Sequence, residues 1–533
     1  MSNPEQSRSS RDIVDSNPVT PRAELDVEGL PPDLEEMGEF DVAPETDGAP
    51  TASERATSER SAEPARPAAP AASSEHAVFA RRVASVFSTQ VTMFAMAFVT
   101  SMLVAGILGT AGKGTYVAIS GFPALLSAFA MFGLPSAINY FAGRGVSLSR
   151  LILLSYQLTA LLAIASVGLV WLLLPRLEGS ILSAACPLPA AGAPAGPCQY
   201  DDMLRLILVT VPFSFLSAFG GSILYGRQAV KRYNLIQLGT SAFTLVWVVV
   251  AVWLLHLGVR AAVWGSVIVT VSTAVLVMGA VHRLPRPEQE QRTTFRKIAG
   301  YSARTYPATL SGYFSYRADT YILQASLASR HESSTSPLGL YSLAVTMDEA
   351  LFYVPNAVAT LFLPRVAGMT VEESSVQVGR VGRLTTLITL AAGVALIPAA
   401  YILVGVVLRQ YRDCLPAFLV LLPGVVSLSV GKVMTSYIGG RGRPGTIAAG
   451  SLISVVLNVI LNIVLIPVLG IVGASLSSLI SYTIQAAIAV YFASRLSGQK
   501  PLSLFVPGRG EIALLMTTLP RLIGRVPLIN RVR

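Results

Sequence analysis

Arg317 and Asp319 stand in the middle of an otherwise apolar stretch, within YFSYRADTYIL. An Arg or Asp at the centre of a membrane helix costs about 2.5 to 3.5 kcal/mol on insertion scales, so such charges persist where they pair or serve a site. Two residues apart, they point to different sides of a helix and cannot neutralise each other. Each therefore needs a further partner. Asp348 and Glu349 lie about ten residues into the next apolar stretch, roughly 15 Å along a helix and so near its middle. A bridge from Arg317 to Asp348 or Glu349 between neighbouring helices is expected. It reads equally as a structural ion pair or as a site in which a cation meets an anionic ligand.

Other polar side chains are more ambiguous. Lys432 stands near one end of its apolar stretch, from which it can snorkel to the membrane surface. Arg304 stands at the start of the stretch that holds Arg317. Asn458 and Asn462, four apart, share a helical face, with Ser451 two turns back; that spacing suits interhelical hydrogen bonding as well as ligand contact. Cys186 and Cys198 lie in a Pro-, Ala- and Gly-rich connection and read as either a disulfide or two free thiols. Cys414 would then be unpaired. Catalytic and cofactor signatures are missing: the four His are isolated, no nucleophile has an adjacent base, and no four-ligand metal spacing or nucleic-acid module appears. Lys113, in GTAGKGTY, has the wrong spacing for a phosphate loop and is expected to face outside.

These residues need elements to hold them. The chain is 52% hydrophobic and only 13% charged, and runs of roughly 20 apolar residues recur along it. In hydrocarbon every backbone N–H and C=O must be paired within the segment, so such runs can only be helices. Twelve spans are expected, near 85–108, 116–138, 151–174, 203–224, 234–256, 260–281, 302–325, 338–363, 384–407, 415–437, 446–467 and 471–494. Pro307, Pro355 and Pro416 are candidates to kink three of them.

The connections alternate in charge. One face carries Arg144 and Arg150; Arg227, Lys231 and Arg232; Arg283, Arg286, Arg292, Arg296 and Lys297; Arg365, Arg380 and Arg383; then Arg441 and Arg443. The other face has scattered single charges, with only Arg409 and Arg412 together. Basic connections stay in the cytoplasm, so both termini are expected inside. Residues 1–80 hold 17 acidic residues against six Arg, a net of −11, and with the whole chain at +10 the remainder carries +21. Cytoplasmic loops facing anionic lipid account for much of that charge, and a positively lined cavity for an anionic substrate would account for more. The acidic segment is rich in Pro, Ala, Ser and Glu, lacks apolar periodicity and a secretory signal pattern, and is expected to be a disordered cytoplasmic tail. After residue 495 the chain is basic, and Pro520 and its short length argue for an interfacial segment rather than another span.

An internal repeat organises the spans. Gly114-Thr115-Tyr116 opens the second span as Gly339-Leu340-Tyr341 opens the eighth, Leu257-Gly258 answers Leu469-Gly470, and Gly226-Arg227 answers Gly440-Arg441, at offsets of 225, 212 and 214 residues. Residues 81–282 and 301–495 are thus expected to be two six-helix halves joined by a basic linker at 283–300, followed by a basic tail over 496–533. An even number of helices inserts both halves the same way up and leaves a cavity between them, as in alternating-access transporters.

LGTAGKGTYVAISGFPALLSAFAMFGLPSAINYFAGR resembles the first two helices of polysaccharide flippases, the Wzx-type branch of the MATE-like MOP exporter superfamily. LGLYSLAVTMDEALFYVPNAVATLFLPRVA is similar to the eighth helix of that branch, and SYIGGRGRPG with SLISVVLNVILNIVLIPVLGIVGASLSSLISY resembles its C-terminal region. The resemblance implies an all-α polytopic membrane protein of about twelve helices, in two six-helix halves around a central cavity. It implies no enzyme, but export of an undecaprenyl-diphosphate-linked oligosaccharide to the outer leaflet of a bacterial cytoplasmic membrane, for surface or secreted polysaccharide. Implied partners are the polyprenyl-diphosphate-linked glycan, membrane lipid and polysaccharide assembly proteins. No cofactor is implied beyond coupling to H+ or Na+. Arg317, Arg304 or Lys432 would then meet a diphosphate or acidic sugar, and Asp319, Asp348, Glu349, Asn458 and Asn462 would bind sugar hydroxyls or the coupling ion. Three rivals fit less well. A membrane polymerase or ligase would carry a large outer domain, and a multidrug exporter of this fold typically has an early acidic residue, which the first three spans lack. A peptidoglycan-precursor flippase has arginine-rich first helices that are not matched here.

Overall fold

In a computed structural model, the chain is described over residues 72–178, 201–285, 293–330, 334–508 and 510–511. Cys186 and Cys198, the acidic segment before Ala72, part of the expected linker and the end of the basic tail lie outside these residues. The described part is helical throughout its length: α1 (Ala72–Ala130), α2 (Leu134–Gly143), α3 (Leu148–Glu178), α4 (Asp201–Leu208), α5 (Thr210–Gly226), α6 (Val230–Trp247), α7 (Gly258–His282), α8 (Phe295–Ser329), α9 (Ser336–Glu349), α10 (Tyr353–Ala367), α11 (Val371–Ile402), α12 (Leu415–Gly440) and α13 (Pro444–Ser497). Helix α1 begins inside the expected tail, and α8 takes up the end of the expected linker.

Among the described residues, nine helical stretches are long and apolar enough to cross a membrane. Two of these are far longer than one crossing needs, Ser88–Ala130 and Gly445–Ser497. Each breaks at a glycine: Gly109 with φ 70° and Gly470 with φ 57°, a backbone region that L side chains avoid. The breaks fall at the ends of expected spans one and eleven. Helix α8 covers the expected seventh span but is too polar to count among the nine, since it carries Arg317 and Asp319.

Proline contributes less to helix geometry than expected. Pro416 lies in the first turn of α12, where its missing N–H has no partner to lose, so it starts that helix rather than kinking it. Pro307 does lie inside α8. A 3-10 turn at Ala350–Phe352 separates α9 from α10, just before Pro355, and wide π-helical turns end α6 at Val248–Leu254 and α11 at Leu403–Val407.

Helices in hydrocarbon associate through close packing of small residues rather than through hydrophobic burial. Gly424 lies against the Leu479 backbone and Gly431 against that of Ala486, so that α12 and α13 cross with their backbones nearly touching. Equivalent glycines of the repeat make equivalent contacts: an added Cβ would lie 2.4 Å from the Asn139 carbonyl oxygen at Gly226 and 2.9 Å from that of Leu363 at Gly440.

The chain beyond α13 does not simply trail along the membrane surface. A 3-10 turn at Pro501–Leu504 plants Leu504, fully buried, among Val378, Met434, Tyr437 and Ala493. Gly382 leaves room for it, as a Cβ there would lie 2.2 Å from the Leu504 carbonyl oxygen. Arg383 fastens this strap through Nη1 to the Ser503 carbonyl at 2.7 Å and through Nε to Glu511 at 2.6 Å. The guanidinium holds the Glu511 carboxyl below the usual glutamate range. On the other side of the strap, Thr370 and Glu373 form a reciprocal cap that starts α11.

Candidate functional site

Arg317 reaches into a cavity of about 330 Å³ bounded by both arms of α1, by α6, α7, α8 and α9. Lys113 lines the same cavity from the second arm of α1. Its sequence position suggested an exposed outer connection, but the side chain is buried, only 4% exposed. Its Nζ donates to Ser101 Oγ at 3.2 Å across the Gly109 break, because that break folds the two arms of α1 against each other. Among the described residues, no Asp or Glu lines the cavity. Its polar surface is otherwise hydroxyl-rich, with Ser101, Thr244, Ser266, Thr320, Ser342 and Tyr116 among the contributors, and Tyr116 and Ser266 are hydrogen-bonded at 2.9 Å. Two cations, no anion and a ring of hydroxyls suit a ligand that is both negatively charged and rich in hydrogen-bonding groups.

The expected bridge from Arg317 is made to Glu349, at 3.8 Å, and not to Asp348. Both side chains are partly exposed, 48% and 33%, so the pair is a loose one that leaves guanidinium donors free for other acceptors. Asp348 takes no part in the bridge. It is completely buried, and neither carboxylate oxygen has a hydrogen-bond partner among the described residues.

Lys432 does not snorkel. Its Nζ donates to Asn356 Oδ1 at 2.8 Å and sits 3.7 Å from the Phe352 ring centroid and 5.3 Å from that of Tyr316, a cation held over two aromatic faces. Tyr316 precedes Arg317 and Phe352 follows Glu349 by three residues, so α8, α9 and α12 bring these charges into one neighbourhood. Arg304 is exposed on the first turns of α8.

Asp319 belongs to a separate buried network. Its carboxylate accepts from the Tyr341 hydroxyl, from the Thr320 N–H at 2.7 Å and from Ser478 Oγ at 3.2 Å. Asn458 Nδ2 donates to Ser481 Oγ at 2.9 Å and lies 3.4 Å from Ser478 Oγ, and Asn462 Nδ2 donates to Asn458 Oδ1 at 2.9 Å. The Asn462 Oδ1 is buried with no partner among the described residues. Asn458 thus ties the first arm of α13 to the second and, through Ser478, connects that hairpin to α8, whereas Asn462 bonds to Asn458 within its own arm. Ser451 makes a similar link, receiving from Gln485 Nε2 at 3.3 Å.

Sequence reasoning set Lys113 aside as a failed phosphate loop, because no linear signal marks it as cavity-lining. Only the repeat hinted at its setting, since it precedes Gly114, whose counterpart Gly339 stands just before the cavity-lining Ser342.

A family model described as polysaccharide biosynthesis protein matches residues 198–416. Among curated proteins, no sequence matches. Similar solved structures include the lipid II flippase MurJ in an inward closed conformation, 14% identical, covering 76% of this chain and 87% of MurJ, with a TM-score of 0.63. An inward-facing multidrug resistance MATE family transporter of the MOP superfamily is also 14% identical, covering 76% of this chain and 94% of its own, with a TM-score of 0.53. Over residues 198–416 the family model agrees with the polysaccharide part of the resemblance, and the superpositions show a MATE-like fold.

Proposed function

We propose that this chain is a flippase that carries an undecaprenyl-diphosphate-linked oligosaccharide from the inner to the outer leaflet of a bacterial cytoplasmic membrane by alternating access, for surface or secreted polysaccharide. The observation that carries this reading is the cavity that holds Lys113 and Arg317 without a carboxylate. A diphosphate is the part of such a cargo that most needs protein contact inside a membrane, because its charge is costly there without paired donors. Sugars supply the hydroxyls that the Ser, Thr and Tyr surface would meet. The polyprenyl chain needs no protein site, since it is soluble in the bilayer. A polysaccharide biosynthesis family and the likeness to a lipid II flippase support the same class of cargo. A multidrug exporter of cationic compounds is disfavoured by the same cavity, whose charges would repel them.

In this reading Arg304, exposed at the inner start of α8, and Lys432 meet the headgroup on its way from the cytoplasm, and Arg317 and Lys113 hold it at depth. The Asp319 network, with its unpartnered Asn462 oxygen, is the place where H+ or Na+ would couple to movement, since a lone carboxylate among hydroxyl and amide oxygens suits a small hard cation or a proton. Glu349 modulates Arg317, and Asp348 lies behind it in the core. The loops rich in Arg and Lys face the cytoplasm, which puts both termini there. Assembly proteins would act on the product at the outer surface.

Deleting the gene and analysing lipid extracts tests the proposal. Build-up of a full-length lipid-linked oligosaccharide, protected from glycosidases added outside spheroplasts, is the expected result. Normal surface glycan together with increased drug sensitivity would overturn it.

A further inference from the structure

The two glycines that open corresponding spans of the repeat meet each other. An ideal Cβ at Gly114 would lie 1.9 Å from the Thr335 carbonyl oxygen and 3.0 Å from the Gly339 nitrogen. At Gly339 a Cβ would lie 1.9 Å from the Thr110 carbonyl oxygen and 3.0 Å from the Gly114 nitrogen. The contact is therefore two-fold symmetric, each glycine resting on the carbonyl four residues before the other. Backbone touches backbone, in a way that any side chain would prevent.

Hydroxyls supply the side-chain hydrogen bonds that reinforce the crossing among the described residues. Thr115 and Thr335 are 2.9 Å apart through their Oγ1 atoms, Thr335 donates to the Ala111 carbonyl at 2.7 Å, and Thr110 donates to Ser336 at 3.2 Å. Hydrogen bonds of this kind in membrane proteins are each worth about 0.6 kcal/mol on average, so the contact is tight yet separable. It also lies directly at the end of the cavity. One turn further along the two helices, Tyr116 and Val117 on one side and Ser342 on the other line the cavity wall, and Lys113 is the residue next to Gly114.

We propose that the Gly114–Gly339 crossing is the outer gate of the cavity, closed by contact between the two copies of the repeat and parted when the halves rock to release cargo outside. The assignment rests on the transport reading above and deepens it. A gate of bare backbone has no side chain to move aside at the point of contact, its flanking hydroxyls pair with each other, and its two-fold form lets both halves move away symmetrically. An anion bound at Lys113 sits within one turn of the seal, so cargo arriving at the end of the cavity is placed where opening must occur.

Two measurements test the gate in the full-length protein with Cys186, Cys198 and Cys414 replaced by alanine. In the first, Ser342→Cys is labelled from outside with a membrane-impermeant maleimide. Gly114→Ala is expected to raise the labelling rate about fivefold or more, because the seal no longer closes. Unchanged labelling in a protein that still elutes as a folded monodisperse species would overturn the proposal. In the second, Thr115→Cys and Thr335→Cys are oxidised to a disulfide, which is expected to lower export about tenfold and to release it again on reduction. Full export with the bridge formed would overturn the proposal; if no bridge forms, the labelling result decides alone. The labelling measurement uses no cargo, so the gate can stand even if deletion shows no lipid-linked oligosaccharide accumulating, and the cargo reading alone then falls.

Discussion

Lys113 and Arg317 differ in what surrounds them, and their replacements should differ accordingly. Lys113 is almost fully buried with one hydroxyl partner, whereas Arg317 shares a loose pair with Glu349. Lys113→Ala and Arg317→Ala should each reduce export at least about tenfold, and Lys113→Glu further, because it places a negative charge in the path of an anionic cargo. All three should reach the membrane at normal levels, which immunoblotting checks. Exchanging the charges of Arg317 and Glu349 should restore expression of either single reversal without restoring export; full export by the double variant would make the pair merely structural. Asp348 calls for the opposite treatment. A buried polar group without a hydrogen bond costs about 1 to 3 kcal/mol, so Asp348→Leu should raise the melting temperature of the purified protein. Lost export in that stabilised variant would mark Asp348 as part of the transport cycle, and a lowered melting temperature would show that it has a partner after all.

Among the elements, the strap after α13 is the one whose contribution is easiest to isolate. Leu504→Asp puts a charge into a fully buried position and should release the strap from α11, α12 and α13. Faster proteolysis after Lys500 in inside-out vesicles is the measurement, with unchanged cleavage counting against the assignment. Gly382→Ala should do the same by collision with the Leu504 carbonyl. The Arg383–Glu511 pair adds a pH dependence of definite sign. Its carboxyl is held below the usual range, so the stabilisation is present above the ordinary glutamate value, about 4.3, and is lost as pH falls through the lowered folded value. The effect is modest, since the pair is near the surface. The two sharp breaks within α1 and α13 fall where expected spans one and eleven end. What the sequence did not mark was the residue that makes each break, Gly109 and Gly470, whose positive φ other residues avoid; of the prolines expected to kink spans from within, Pro416 starts α12 instead.

At the scale of the whole molecule, the all-helical class and the MATE-like architecture were legible in the linear sequence. Hydrophobic length sets what crosses a membrane, and Gly114 and Gly339, or Gly226 and Gly440, could be matched by their neighbours alone. The sequence also determined that charges such as Arg317 and Asp319 must have partners, since hydrocarbon permits no other outcome. Which partners they found was settled only by the tertiary structure. Arg317 chose Glu349 over Asp348, Lys432 met Asn356 and two rings instead of the surface, and Lys113 turned inward. The reason is that helix spacing fixes the height of a side chain along its own axis, whereas the rotation of one helix against the next depends on close packing at small residues. Two neighbouring carboxylates on α9 are indistinguishable by height, and the packing of α8, α9 and α12 decides which one pairs with Arg317 and which one is sealed in the core.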